Sequence, residues 1–249
     1  MPRFSIITCT KNSASTIHET LKSVRAQNFR KFEHIFIDGG STDGTVEICS
    51  NSLNAKVYSK PSLNLYESLN FGLKKCTGEI IFFLHSDDQI TENKLFRNIS
   101  SLFVKVDTDV IYSNIVMKKN KKLFRVWKSK ILRKKDIKNF QFPAHTSFFY
   151  KKEIFDKIGY FNVNYKIASD FDYLARLFYD TSIKKHFYNQ KIISMNYGGI
   201  STKSFTNIII QNYENILIIY NYEKNFLNIL KIICTKLLNR IEQLKCKKF

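Results

Sequence analysis

Short apolar runs alternate with helical patterns over the first hundred residues of the chain. The apolar runs that read as strands are residues 4–8, 32–37, 55–59 and 80–84. Between them, apolar residues recur at helical spacing in residues 16–27, 45–53 and 65–75. Strands that alternate with helices predict an α/β fold with a doubly wound, mostly parallel central sheet.

The pattern changes after residue 90. Helices are predicted at residues 95–103, 151–158 and 169–179, with Gly159 as a helix stop. Residues 110–117 and 123–127 predict a hairpin around a lysine-rich turn, and residues 187–196 predict a further strand. We therefore expect one domain over residues 1–204, with a first half at 1–100 and a second half at 101–204.

Residues 205–249 are predicted to form a basic amphipathic helical tail. An apolar stripe runs from Phe226 to Leu244 and is surrounded by lysines and an arginine. A helix of this kind can pack on its own domain or lie on an anionic lipid surface. The sequence leaves both interpretations open.

Polar side chains follow three of the predicted strands. They lie in residues 8–12, 38–43 and 86–88, and the carboxyl ends of parallel strands meet at one edge of a sheet. Asp87 and Asp88 come directly after an apolar run, where carboxylates are costly unless they are paired or bound to a metal. Carboxylate oxygens suit Mg²⁺ or Mn²⁺, so the pair predicts a metal–diphosphate site, with an Asp-rich turn as the alternative.

The chain is strongly basic. Lysine and arginine number 40 against 21 acidic residues, which gives a net charge of +19. This favours an anionic partner: nucleic acid, an anionic membrane surface or a phosphorylated substrate. Residues 118–138 hold eleven basic residues together with Phe124 and Trp127. That segment fits a nucleic-acid surface, a guide for a phosphate-bearing lipid or anionic glycan, or a solvated face.

Nucleic acid is the weaker of these partners. No nucleic-acid-binding module is recognisable, and paired carboxylates repel phosphate in the absence of a metal. We therefore expect no nucleic-acid partner. The alternative hypothesis is a basic nucleic-acid-binding α/β protein without enzyme activity.

Cysteine usage and hydropathy bear on the compartment. The five cysteines are widely spaced and form no CxxC pair, which argues for a reducing environment. No apolar stretch approaches the roughly 18 residues that span a bilayer. We expect a cytoplasmic protein, with peripheral binding to the inner face of the plasma membrane as a further option.

Five stretches in order resemble family 2 glycosyltransferases, which are inverting enzymes of the GT-A fold. They are residues 4–12, 37–45, 77–88, 143–149 and 159–173, and the resemblance extends from about residue 4 to about residue 202. It includes the Asp38-Gly39-Gly40-Ser41 loop, the Ser86-Asp87-Asp88 end of an apolar strand and the Ser169-Asp170 pair. The resemblance implies a single Rossmann-like GT-A domain with a C-terminal helical extension, of the type that builds bacterial surface polysaccharide.

The resemblance also implies roles for individual residues. Asp88 is similar to the ligand of a divalent cation, Mn²⁺ or Mg²⁺, and Asp170 to the general base. The implied nucleotide-sugar contacts are Thr8, Thr10, Asp38 and Asp87. Asp170 could instead cap a helix, because Asp is a favoured N-cap residue. His145 is implied to contact the diphosphate or the acceptor, with a structural histidine as an equal alternative.

This chain departs from the family pattern at several places. Gly39 and Glu67 replace residue types that are usual in the family. Ser169 stands where an acidic residue usually precedes the base, and we expect the loss of that like charge to lower the pKa of Asp170.

The implied activity is transfer of a sugar from a nucleotide-sugar, specifically a UDP-sugar, to a hydroxyl. The acceptor is expected to be a lipid-linked or surface glycan, as in lipopolysaccharide or capsule assembly.

Overall fold

A computed structural model describes residues 3–119, 122–196 and 204–224. The stripe predicted from Phe226 lies outside the described residues. No helix among the described residues is long and apolar enough to cross a membrane. The three cysteines that are described, Cys9, Cys49 and Cys76, are free thiols.

The first half of the chain forms the predicted parallel sheet. Its elements are β1 (Phe4–Thr10), α1 (Ala14–Arg25), β2 (Phe32–Asp38), α2 (Thr45–Ser50), β3 (Ala55–Ser59), α3 (Leu65–Lys75) and β4 (Ile80–Phe83). The strands lie in the order β3-β2-β1-β4, and every neighbouring pair is parallel. The sequence prediction is confirmed here: β1, β2 and β4 are buried and largely apolar, whereas β3, at the edge of the sheet, is partly exposed.

The second half extends the same sheet. Its elements are β5 (Gln89–Ile90), α4 (Leu95–Lys105), β6 (Val110–Lys119), β7 (Lys122–Trp127), α5 (Lys134–Lys138), β8 (Phe148–Lys151), α6 (Glu153–Ile158), α7 (Ser169–Tyr179), β9 (Lys185–Asn196) and α8 (Phe205–Glu223). The order continues as β4-β8-β6-β9-β5, with β7 on β6. Strand β8 is antiparallel to both β4 and β6, whereas β6 and β9 are parallel.

Strands β5 and β8 were not predicted from the sequence. β5 has two residues and β8 has four, which is too short for a period-2 pattern to stand out. β8 is nevertheless central, because it joins the two halves of the sheet. The rings of Phe82 on β4 and Phe149 on β8 stack with their centroids 4.3 Å apart.

Helices cover both faces of the sheet. Helices α3, α6 and α7 contribute to one apolar core, and α4 packs into the other. Gly72 allows α3 to lie close to β1, since a Cβ at this position would stand 2.8 Å from a methyl carbon of Ile7. Helix α8 packs on α7, so this part of the tail belongs to the folded domain.

The amino-terminal edge of the parallel strands holds one buried carboxylate, Glu33. Its oxygens accept hydrogen bonds from Ser5 Oγ at 2.6 Å, Thr77 N at 2.6 Å, Gly78 N at 3.2 Å and Lys56 Nζ at 2.7 Å. Burial alone would raise the pKa of Glu33, but these hydrogen bonds outweigh it and lower the pKa to about 2. Glu33 therefore ties the starts of several strands together.

Candidate active site

Three loops meet at the carboxyl edge of the parallel strands, as the sequence predicts. The Ser13 hydroxyl after β1 lies 3.0 Å from the Ser86 hydroxyl after β4. The backbone amide of Asn12 donates a hydrogen bond to Ser41 Oγ, in the loop after β2, at 2.8 Å. These bonds link loops that are far apart in sequence, so the polar residues of all three loops share one small region.

The Asp38 carboxylate organises the loop after β2. It accepts hydrogen bonds from Thr10 Oγ1 at 2.9 Å, Gly40 N at 2.9 Å, and Ser41 N and Oγ at 2.8 and 2.5 Å. Burial acts to raise the pKa of Asp38, but these hydrogen bonds outweigh it and lower the pKa. Asp38 is therefore a fixed, ionised carboxylate at this edge, and the Thr10 hydroxyl is held by its hydrogen bond to it.

Thr8 lies deeper than the other predicted donor-side residues. Its hydroxyl donates to the Leu84 carbonyl at 2.8 Å and lies 2.9 Å from His34 Nε2. The side chain is fully buried between β1, β2 and β4. The geometry makes Thr8 a support for the loop after β4.

Asp88 is the most unusual carboxylate among the described residues. It is fully buried, and neither of its oxygens accepts a hydrogen bond from any residue in the described part of the chain. Burial, and after it the charge of Asp87, raises the pKa of Asp88 well above its ordinary range, against a smaller lowering effect of the nearby His85 backbone amide, which does not form a well-aligned hydrogen bond. An unpaired buried carboxylate is unfavourable for folding and calls for a ligand or a functional explanation.

A divalent cation fits this carboxylate chemically. The described residues contain no group of three or more His, Cys, Asp and Glu side chains that could hold a metal ion. Mg²⁺ and Mn²⁺ sites of nucleotide enzymes commonly use one or two carboxylates and take further oxygens from the phosphates. Asp88 is therefore suited to a cation that is shared with a diphosphate.

Asp87 lies between this buried site and the surface. Its backbone carbonyl accepts a hydrogen bond from the Asn196 side-chain amide at 2.9 Å. This bond joins the loop after β4 to the end of β9. The Asp87 side chain is only half-buried, which leaves it available to a ligand at the edge of the sheet.

Two histidines connect the Asp87–Asp88 loop with Asp170. The rings of His85 and His145 meet edge to face with their centroids 4.9 Å apart, and His145 Nδ1 lies 3.8 Å from Asp170 Oδ2. Burial lowers the pKa of His145 to about 4, and burial followed by His145 lowers that of His85 to about 4. The pair is therefore neutral at physiological pH. The structure brings together His145, Asp170 and the loop of Asp88.

Asp170 occupies the first turn of α7 and is not its N-cap, which is Ala168. Its Oδ1 accepts the Phe171 amide at 2.8 Å, and 29% of its side chain is exposed. Burial raises the pKa of Asp170 to about 6, against the lowering effect of the Phe171 hydrogen bond and with a further rise from Glu214. Asp172, two residues on, is instead paired with Arg176 at 2.9 Å.

The sequence-based expectation for the pKa of Asp170 is thus wrong. The acidic neighbour missing at Ser169 is replaced in space by Glu214, which raises the pKa of Asp170 in the same direction as burial, the larger cause. Glu214 is 7% exposed and is the acidic residue in the interior of helix α8, whose other acid, Glu223, is its last residue. A charge within an otherwise uncharged helical run is the signal that could have identified it.

The chain is similar in sequence to known glycosyltransferases. A sequence profile described as Glycosyl transferase family 2 matches residues 5–168. A PGL/p-HBAD biosynthesis glycosyltransferase of Mycobacterium bovis is 27% identical over 212 residues, which cover 80% of this chain and 79% of that protein.

Two solved structures share the fold. Residues 1–349 of TarS from S. aureus in complex with UDP superpose with a TM-score of 0.68 at 22% identity, and the match covers 87% of this chain and 64% of that chain. The mannosyltransferase PcManGT from Pyrobaculum calidifontis in complex with GDP-Man and Mn²⁺ gives a TM-score of 0.65 at 15% identity, with 94% and 69% covered.

Proposed function

The chain belongs to glycosyl transferase family 2, and we propose that it is an inverting enzyme that moves a sugar from a UDP-sugar to a hydroxyl of a lipid-linked or surface glycan. Its mixed α/β sheet has the GT-A arrangement, and it is a glycosyltransferase. The observation that supports the proposal best is the recessed Asp170 carboxylate, placed across His145 from the Asp88 loop.

Asp170 is the proposed general base. A carboxylate with a pKa of about 6 is largely ionised at neutral pH and is still basic enough to take a proton. It would remove the proton of the acceptor hydroxyl while that oxygen attacks the anomeric carbon. The bond from that carbon to the diphosphate oxygen breaks in the same displacement, which inverts the configuration and needs no covalent sugar–enzyme intermediate.

Asp88 is the proposed ligand of Mn²⁺ or Mg²⁺. When bound, the cation would supply Lewis-acid neutralisation of the charge on the diphosphate. The structure of PcManGT, which has a similar fold, holds Mn²⁺ together with GDP-Man, and this supports the choice of cation. Because Asp88 has no exposed surface, the residues that cover it must shift when a cation binds.

The donor nucleotide is proposed to lie over the loops after β1, β2 and β4. The first half of the domain, residues 1–100, supplies these loops, and residues 101–204 supply the acceptor side. Asp87 and the Asp38–Thr10 pair would contact the nucleoside, while Thr8 would support the loop after β4 through its hydrogen bond to Leu84. The choice of UDP is supported by the TarS structures, which hold UDP and UDP-GlcNAc.

The β6–β7 hairpin is the proposed approach for an anionic, lipid-linked acceptor. Leu123 and Ile131 are 66% and 75% exposed, in a stretch of the chain, residues 122–131, that also carries the exposed side chains of Lys122, Arg125 and Lys128. Exposed apolar residues within a basic surface suit a bilayer that carries anionic headgroups. We call these five residues the basic hairpin surface.

Vesicle sedimentation tests this surface. We expect the protein to bind phosphatidylglycerol vesicles, to bind phosphatidylcholine vesicles weakly, and to be released by salt. Leu123→Ser with Ile131→Ser should reduce binding, whereas Val104→Ser, an exposed apolar residue on α4, should not. Equal binding by all three proteins would exclude the basic hairpin surface as the contact.

A donor panel tests the reaction itself. UDP-sugars and GDP-mannose are offered with Mn²⁺ or with EDTA, and release of the nucleoside diphosphate is followed. We expect activity with a UDP-sugar that EDTA removes, and loss of turnover without loss of donor binding in Asp170→Asn. Tight, salt-sensitive oligonucleotide binding with no donor binding would favour the nucleic-acid alternative.

A further inference from the structure

The segment that precedes Asp170 is held by a residue from far along the chain. The Glu214 carboxylate on α8 accepts hydrogen bonds from three successive amides, Lys166 at 2.8 Å, Ile167 at 3.0 Å and Ala168 at 2.9 Å. We call residues 166–168 the base loop. Three amides on one carboxylate form a charge-assisted clamp that is stronger than three separate neutral bonds.

The base loop is held from its other side as well. The Tyr66 hydroxyl on α3 donates a hydrogen bond to the Ile167 carbonyl. Both the amide and the carbonyl of Ile167 are therefore fixed, one by α8 and one by α3. Because α7 begins at Ser169, these contacts set where the helix starts and hence where Asp170 points.

We propose that Glu214 is the positioning residue of the general base: its carboxylate fixes the base loop so that Asp170 faces the acceptor. The family profile ends at residue 168, so Glu214 lies beyond the part of the chain that the family match covers. The inference rests on the proposed role of Asp170. It adds that α8 is part of the catalytic machinery and not merely an appended helix.

The charge of Glu214 also reaches Asp170. The titratable groups that act on Asp170 or feel its charge are Glu214, His145 across a 3.8 Å gap, Tyr66 and Tyr150. Glu214 is the acid in this set, and it favours the protonated form of Asp170. Its removal should therefore shift the acid limb of the pH–rate profile to lower pH.

Helix α8 offers a matched control. Glu223 lies on the same helix and is bonded to Tyr179 at 2.7 Å and Lys138 at 2.5 Å, away from the base loop. Glu214→Gln and Glu223→Gln thus make the same chemical change at two anchors of α8. Glu214→Asp keeps the charge but shortens the reach to the base loop.

Amide hydrogen exchange of the full chain is the first test and needs no substrate. We expect the amides of residues 166–168 to exchange about tenfold faster or more in Glu214→Gln and in Glu214→Asp. Glu223→Gln should leave their exchange unchanged. Unchanged exchange in both Glu214 variants, or equal acceleration in all three, would overturn the proposal.

Turnover of the active UDP-sugar is the second test. We expect kcat of Glu214→Gln to fall about tenfold or more with KM for the donor unchanged, and the acid limb to move to lower pH. Wild-type kcat and an unmoved acid limb would overturn the proposal. Asp170→Asn is assayed beside it: if that variant still turns over, the base assignment fails, whereas an inactive Asp170→Asn with a fully active Glu214→Gln defeats this inference alone.

Discussion

Two buried carboxylates lie at opposite ends of the same parallel strands, and their surroundings differ completely. Glu33, at the amino edge, is bonded to β1, β3 and the turn before β4, and its pKa falls to about 2. Asp88, at the carboxyl edge, has no hydrogen-bond partner within the described chain, and its pKa rises well above the ordinary range. The fold satisfies one charge and leaves the other unsatisfied.

The contrast separates a structural acid from a functional one. A carboxylate with several partners stabilises the fold when it is ionised. A buried carboxylate without partners destabilises the ionised fold and persists only where its chemistry is needed. Removal of the charge at the two sites should therefore change stability in opposite directions.

The largest expected effect is on turnover. Asp88→Asn should lower kcat by about 100-fold or more, because it removes the proposed cation ligand. Glu33→Gln should retain wild-type turnover per folded molecule. Release of UDP from the active donor with Mn²⁺ measures the turnover of both variants. If Asp88→Asn retains turnover that EDTA still abolishes, Asp88 is not the cation ligand and is not a functional acid in this sense.

The next effect is on folding at the amino edge. Glu33→Gln should lower the free energy of unfolding by about 2 kcal/mol at pH 7, since the NH2 group that replaces one carboxylate oxygen cannot accept the hydrogen bond from Lys56. Urea unfolding measures the change. Glu47→Gln, an exposed acid on α2, is the control and should stay within about 0.5 kcal/mol of wild type.

A smaller effect of the opposite sign is expected at the carboxyl edge. Asp88→Asn should raise the free energy of unfolding by about 1 kcal/mol in EDTA at pH 7. A raised pKa means that ionisation costs the fold stability as pH rises, so the gain should grow from pH 5 to pH 8. A variant less stable than wild type throughout this range would show that Asp88 is a structural acid.

The smallest effect concerns the pH dependence at the amino edge. Because the pKa of Glu33 falls from 4.5 to about 2 on folding, its stabilisation is complete above about 4.5 and is lost as pH falls toward 2. The stability gap between wild type and Glu33→Gln should therefore narrow between pH 5 and pH 3. A gap that stays constant in urea titrations at these pH values would contradict the assignment.

The sequence predicts the carboxyl edge of the parallel strands well. Strands β1, β2 and β4 are apolar runs, and the polar loops that follow them meet because the strands are parallel. In this region the apolar pattern of each strand and the arrangement of the strands in the sheet lead to the same prediction. Strand β8 was missed because four residues carry too little pattern, although Phe148 and Phe149 lie within a motif that the family resemblance identified.

The surroundings of Asp170 are less predictable because they are assembled from segments that are distant in sequence. Asp170 could be found from its motif, but its pKa depends on burial and on Glu214, neither of which is local. From the uncharged Ser169 we expected a lowered pKa for Asp170, whereas its pKa is raised. Likewise the hydrogen bonding of Asp38 includes Thr10 on the neighbouring strand β1, and so does not follow from its own loop alone.

The strand order has a consequence for the nascent chain. Strands β3, β2, β1 and β4 are complete once residue 83 has been synthesised, whereas β8, which covers the open side of β4, ends at Lys151. Domains begin to fold from the amino end during synthesis, and an uncovered apolar strand is a template for aggregation. For nearly seventy residues of translation, Ile80–Phe83 is such an edge, and chaperone protection of the ribosome-bound chain is most needed in that interval.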